Sequence, residues 1–250
     1  MSDRLVWALG LGLLGAIIGS FVAALVLRWS SDRSVMRGRS ACDSCGTTLR
    51  AGELVPLVSA LVQRGRCRTC GQAIPQAHWR IELLGLVIGA AAGWMVAGPI
   101  ALAGAAFGWL LLALGALDAM CFWLPDRLTG MLAVTGAASG LVFGPALADR
   151  AIGGAIGFGS LWLIAQSYRR LRGRDGMGGG DPKLFGALGL WLGWAMLPAV
   201  LLIASMVGLG VALSAHMRGR AVAADTALPF GTLLAIAAYP AWLFMIALPS

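Results

Sequence analysis

The chain has 250 residues, 59% apolar and 12% charged, with a net charge of +8, whereas soluble domains are roughly 25% charged and 45–50% apolar. So few charges cannot coat a soluble globule of this size, and disorder is excluded because its signature is low hydrophobicity. A mean hydropathy of +0.82 makes a bilayer the expected solvent and an all-α polytopic membrane protein the expected fold.

A spanning helix needs about 20 mostly apolar residues. The first candidate covers 5–27. It is too long for a signal-peptide core, and its basic residues follow it instead of preceding it, so it reads as a retained span.

Residues 29–80 then form the one sizeable polar loop. It carries Cys42-Asp43-Ser44-Cys45 and Cys67-Arg68-Thr69-Cys70, with 21 residues between the pairs. Two such knuckles suit a tetrahedral thiolate Zn²⁺ site, slightly beyond the usual gap of about 15–20 residues. Gly46 and Gly71 follow the second Cys of each pair, where a knuckle turn often needs a permissive backbone. The nearby arginines favour thiolates, and a reducing cytosol disfavours disulfides. So short a loop builds little core, so a metal would supply folding energy. Four Cys ligands leave no open coordination position, so the expected zinc is structural. Cys121 is alone and reads as a packing residue. His78 and His216 show no partner in the sequence and read as structural or interfacial.

Further spans are expected at 81–98, 100–117, 128–143, 151–168 and 228–248. All are rich in Gly, Ala and Leu, which suits close helix packing in lipid. The stretch 184–215 is long for one helix, and Gly193 and Pro198 interrupt it. Two helices, 184–195 and 198–216, bring the total to about eight; one long tilted helix, the alternative, makes seven. With eight, the loops 29–80, 118–127, 169–183 and 216–227 share a side. Between them and the adjoining Arg28 they hold 17 of the 19 Lys and Arg residues, leaving Arg4 and Arg150 opposite. That asymmetry makes these loops cytoplasmic and both termini external. The basic surplus is a topology signal. No nucleic acid is expected as partner, and the Arg loops can hold anionic lipid headgroups.

With only 11 acids, each can be inspected. Asp3, Asp32, Asp43, Glu53, Asp149, Asp175 and Asp225 lie in tails or loops and read as solvated. Glu82 reads as an acid at the start of the second span, where a helix N-terminus tolerates it. Asp126, after Pro125, reads as a helix cap with a positioning role. Asp118 closes the third span, and Asp181 precedes the short sixth one in Gly176-Met177-Gly178-Gly179-Gly180-Asp181-Pro182-Lys183. An ionisable residue at membrane depth is a functional candidate. Both lie at cytoplasmic span ends, so they can meet if spans three and six pack together. Two close carboxylates do not both ionise easily, and such a pair can act as base and acid on a water. The glycines let a substrate backbone approach. Taken singly, Asp118 also reads as an interfacial helix-end residue and the glycine run as a linker. A phosphate loop fits poorly, since the spacing and the Ser/Thr after Lys183 are missing.

Taken together these residues resemble the type IV prepilin peptidases, the GxGD-type membrane aspartic proteases, over nearly the whole chain. The resemblance rests on Gly19-Ser20-Phe21, both CxxC pairs, Val55-Pro56-Leu57-Val58-Ser59 and Arg64-Gly65-Arg66-Cys67. It continues through Glu82-Leu83-Leu84, Leu117-Asp118, Leu124-Pro125-Asp126-Arg127-Leu128-Thr129, the Gly176–Leu184 run and Pro229-Phe230-Gly231. It implies catalytic Asp118 and Asp181, with Gly178, Gly180, Asp126 and Lys183 in support. It implies as substrate a prepilin or pseudopilin precursor: a short basic leader ending in Gly, then an apolar helix with Glu at its fifth position. Cleavage is expected at the cytoplasmic face of the bacterial inner membrane.

Many members also methylate the new N-terminus with S-adenosylmethionine. Here Val22-Ala23-Ala24 and Arg28-Trp29-Ser30 replace the family's usual residues, Asp43 replaces a Pro, and Leu54 stands at an Asn position. The methyl donor is expected only if that activity is retained. The expected organisation is a first span (1–28), a zinc-binding loop (29–80) and a membrane-embedded peptidase domain (81–250). Two rivals are an ion-coupled transporter, whose site would lie near the midplane, and a non-catalytic assembly scaffold of the same fold.

Overall fold

The computed structural model describes residues 2–30, 40–219 and 227–247. Asp32, Arg33, Arg37, Arg39, Arg220 and Asp225, counted above among the loop charges, lie outside the described residues. The described chain is helical: α1 (Ser2–Trp29), α2 (Val58–Val62), α3 (Gln76–Met95), α4 (Pro99–Cys121), α5 (Asp126–Ser139), α6 (Leu147–Arg172), α7 (Asp181–Leu192), α8 (Leu197–Met217) and α9 (Phe230–Ala247). Short 3₁₀ turns cover Ala51–Leu54 and Trp194–Met196. Five helical segments are long and apolar enough to cross a membrane: Asp3–Trp29, Pro99–Cys121, Leu147–Arg172, Trp194–Met217 and Phe230–Ala247. The protein is thus a multi-pass membrane protein. Of the rest, α5 and α7 are short, with 14 and 12 residues, and α3 begins with the polar residues Gln76, His78, Arg80 and Glu82.

The chain forms two compact units, Met1–Ala113 and Leu114–Ser250. In the first, α1 and α3 pack against each other along glycine. Gly85, Gly89 and Gly93 recur every fourth residue on α3, and a Cβ on any of them would collide with the α1 backbone at Gly15, Leu11 and Trp7. Small residues at this spacing let helix backbones touch, which replaces the hydrophobic drive that lipid removes. Trp109 Nε1 donates to the Gly85 carbonyl at 3.0 Å.

In the second unit, α7 packs between α5 and α6. Gly153 and Gly189 bring α6 and α7 into backbone contact. Trp191, fully buried, donates from Nε1 to the Leu132 carbonyl of α5 at 2.8 Å. The 184–215 stretch is broken into two helices. Gly193 takes φ 73°, and Pro198 sits in the first turn of α8, where its missing N–H costs nothing.

Arg150 departs from its expected place as a charge on the external face. It is fully buried, and its guanidinium donates to the carbonyls of Pro145, Gly136, Leu190 and Phe143 and to Ser139 Oγ. The α5 and α7 carbonyls among these lie at helix C-terminal ends, which lack intrahelical donors and carry partial negative charge. One side chain therefore ties the ends of α5 and α7 and the 140–146 connection to α6.

Candidate active site and metal centre

Asp118 stands one turn before the end of α4, which runs on to Cys121 instead of closing at the aspartate. Its carbonyl accepts the Phe122 N–H at 2.9 Å. Phe122 takes φ 51°, a left-handed conformation that costs a non-glycine residue about 1–2 kcal/mol. The chain reverses there, and Leu124-Pro125 leads into α5. Asp181 is the first residue of α7, with Pro182 behind it. Both carboxyl groups are buried, each about 5% exposed. They are close enough for the charge of Asp118 to act on Asp181.

The glycines before Asp181 serve space more than conformation. None of them takes a positive φ. A Cβ at Gly180 would lie 2.7 Å from the Leu124 Cβ, and one at Gly178 would lie 3.2 Å from Asp181 Oδ2. One at Gly176 would enter the Tyr168 ring, while Gly179 borders open space. Leu124 also fills the space over Gly231, where a Cβ would lie 3.1 Å from Asp118 Oδ2. Leu124 is thus wedged among the segments that carry the two acids.

Asp126 is the first residue of α5, not its cap; Pro125 holds the cap position with no side-chain bond. Asp126 Oδ1 instead accepts from Lys183 Nζ at 2.6 Å, 57 residues away. The pair is exposed and joins the start of α5 to the first turn of α7. Asp175, read as solvated, pairs with Arg169. The sequence missed Thr232: its N–H donates to Asp118 Oδ2 at 2.7 Å, and its hydroxyl lies 3.1 Å from the same oxygen. It directly follows the Pro229-Phe230-Gly231 motif, so its position was marked although its contact was not.

In the first unit, the four cysteines Cys42, Cys45, Cys67 and Cys70 converge, with all Sγ atoms within 4.8 Å of one another. The Cys42–Cys70 and Cys45–Cys67 separations are 3.9 Å. Tetrahedral thiolates at a Zn–S distance of about 2.3 Å would stand about 3.8 Å apart, so the donor set fits a metal. The two knuckles repeat each other. The Gly46 N–H bonds the Cys42 carbonyl and the Gly71 N–H the Cys67 carbonyl, both at 2.9 Å. Gly46 and Gly71 take φ 71° and 72°, as expected. The Thr47 hydroxyl and amide lower the Cys45 thiol to about 6. Backbone N–H groups of Cys70 and Thr69 lower Cys67. Both shifts favour the ligating thiolate, while burial and the neighbouring cysteines Cys45, Cys67 and Cys42 push Cys70 up to about 11.

Two acids read from sequence as solvated or terminal are structural here. Glu53 accepts the Arg50 N–H at 2.7 Å and pairs with Arg68, inside the second knuckle, at 3.3 Å. Glu82 lies in the second turn of α3, not at its start, and is only 2% exposed. It accepts the Leu57 N–H at 2.8 Å, and His78 Nε2 lies 3.3 Å from its other oxygen, so His78 does have a partner. Glu82 thereby anchors the Val55-Pro56-Leu57 segment to α3. A cavity of about 350 Å³ beneath the knuckles is lined by Leu27, Glu53, Gln63, His78 and Glu82 among others.

The comparisons agree with both units. Residues 13–96 match the Bacterial Peptidase A24 N-terminal domain and residues 105–213 the Type IV leader peptidase family. The chain is similar to a protein of Burkholderia pseudomallei (strain K96243) named Prepilin leader peptidase/N-methyltransferase, at 39% identity over 89% of this chain and 80% of the relative. Proteins of the same name from Dickeya chrysanthemi and Aeromonas hydrophila are 37% and 38% identical, over 92% and 84% of this chain and 90% and 73% of theirs. No solved structure matches the chain significantly.

Proposed function

Because the chain belongs to the type IV leader peptidase family, we propose that it is a membrane aspartic endopeptidase that removes the leader of prepilin or pseudopilin precursors, with Asp118 and Asp181 as its catalytic pair. The observation that carries this reading is the burial of two interacting carboxyl groups on α4 and α7 with, among the described residues, no basic side chain bonded to either. Structural acids in this chain, such as Glu53 and Asp126, are paired with cations.

The reaction follows from that arrangement. Asp118, which accepts the Thr232 N–H, serves as the base: a water between the carboxyl groups gives it a proton, and the water oxygen bonds to the carbonyl carbon of the leader's terminal Gly. Asp181 gives its proton to the carbonyl oxygen, leaving a neutral tetrahedral diol. On collapse the C–N bond breaks, the amine takes the proton from Asp118, and one diol hydroxyl returns its proton to Asp181. No covalent enzyme intermediate is needed. Gly178 leaves room beside Asp181, Gly180 lets Leu124 pack against the start of α7, and Asp126 with Lys183 holds the start of α5 to α7.

The proposed topology has eight spans, with α3, α5 and α7 joining the five long helices. The distribution of Lys and Arg supports a cytoplasmic site in the bacterial inner membrane. The organisation expected from the sequence (1–28, 29–80, 81–250) is retained in this proposal. Zn²⁺ on Cys42, Cys45, Cys67 and Cys70 would cross-link the two knuckles and neutralise the thiolates. S-adenosylmethionine would serve the methylation named for the relatives. In the cavity beneath the knuckles, Glu53 is held by Arg68 and Glu82 by His78 and Leu57.

The test is incubation of the membrane-inserted protein with a precursor, followed by weighing of the product. Loss of the leader is expected, and D118N and D181N should each abolish it while still inserting. Substantial cleavage by both variants would overturn the assignment. A further methyl mass on the product reports the second activity.

A further inference from the structure

Asp118 Oδ2 is approached by both polar groups of one residue. The Thr232 N–H reaches it at 2.7 Å and the Thr232 hydroxyl at 3.1 Å. The hydroxyl is also 2.8 Å from the Gly115 carbonyl, one turn earlier on α4. Thr232 is the third residue of α9. The first N–H groups of a helix have no partner within it, and the N-terminal end carries partial positive charge. Asp118 supplies the missing acceptor, so the start of α9 and the carboxylate orient each other. Gly231 permits the approach, since a Cβ there would crowd Oδ2. Among the described residues, Oδ1 of Asp118 accepts no hydrogen bond.

We propose that Thr232 is a positioning residue that clamps Oδ2 of Asp118 and so turns Oδ1 toward the reacting water as the oxygen that accepts its proton. The N–H holds Oδ2 directly, and the single hydroxyl hydrogen is shared between Oδ2 and the Gly115 carbonyl, so the same side chain is tied both to the carboxylate and to α4. A carboxylate free to rotate would spend time with neither oxygen aligned, and small misplacements of a reacting group cost rate more than binding. The proposal rests on the peptidase reading.

Steady-state cleavage by the purified full chain, with a precursor bearing a basic leader, Gly at the cut and an apolar helix, tests it. Wild type, D118N, T232V, T232A and T232S are compared. Val and Ala keep the amide but remove the hydroxyl; Ser keeps both donors. Both T232V and T232A should lower kcat by about 10–100-fold with KM nearly unchanged, and T232S should return to within about threefold of wild type. Should T232V fail to insert, T232A against T232S gives the same comparison. The proposal is overturned if the hydroxyl-free variants keep wild-type kcat, if T232S is as impaired as they are, or if the loss lies in KM. A wild type that leaves the precursor intact, or a D118N that still cuts it, defeats the peptidase reading and this proposal with it. Cleavage by wild type alone upholds that reading whatever Thr232 does.

Discussion

The Cβ of Leu124 fills the space that a side chain on Gly180 would need, 2.7 Å from where that Cβ would stand. Leu124 precedes α5 and Gly180 precedes Asp181, so the glycine sets how closely the loop after α4 approaches the start of α7. Replacing Gly180 by Ala should displace Asp181 and lower cleavage by about 100-fold, with insertion intact. L124A should not rescue it, because the obstructing atom is the Cβ itself. A G180A enzyme with wild-type rate would show that the close approach has no catalytic role.

Arg150 offers a stability test far from the acids in the sequence. Arg150→Met removes the guanidinium donors to the carbonyls of Phe143, Pro145 and Leu190, while Gly136 keeps the Ser139 hydroxyl. Each buried acceptor left without a partner costs about 1–3 kcal/mol, so a loss of about 3 kcal/mol or more is expected. Thermal unfolding in detergent measures it. An unchanged midpoint would mean that water replaces the guanidinium.

The Asp126–Lys183 pair is exposed, so its direct contribution to stability is small, about 0.2–1 kcal/mol. Its effect should appear in rate instead, because it ties together the segments flanking both acids. K183Q should slow cleavage by about tenfold while the unfolding midpoint barely moves. The exchanged pair D126K/K183D should recover most of the activity. If the exchange is no better than the single variant, the charge of Lys183 acts on something other than Asp126.

The knuckle cysteines make a prediction about metal content. The purified chain should carry about one zinc, in keeping with four thiolate ligands, and the C42S/C70S variant should carry none. Chelation should open the segment around Cys42–Cys70 to protease, since the metal supplies its folding energy. Metal-free protein with unchanged protease resistance would sink the structural role.

Much of this protein was legible in its residues alone. Apolar runs with polar ends mark helices because a bilayer admits little else, and the break at Gly193 and Pro198 is local backbone chemistry. The knuckles and the GxGD segment are likewise local patterns, in which spacing dictates geometry. Tertiary structure alone decided the partners. Glu82 and His78 looked isolated until α3 began earlier and the Leu57 segment folded onto it. Arg150 counted as an external charge until its guanidinium met the ends of α5 and α7. Thr232 bonds Asp118 across 114 residues, and Lys183 bonds Asp126 across 57. Such contacts leave no periodic trace, because a hydrogen bond depends on where two backbones end up and not on how far apart they lie along the chain. The sequence alone singled out Asp118 and Asp181 as candidates; only the packing of helices decided what holds them.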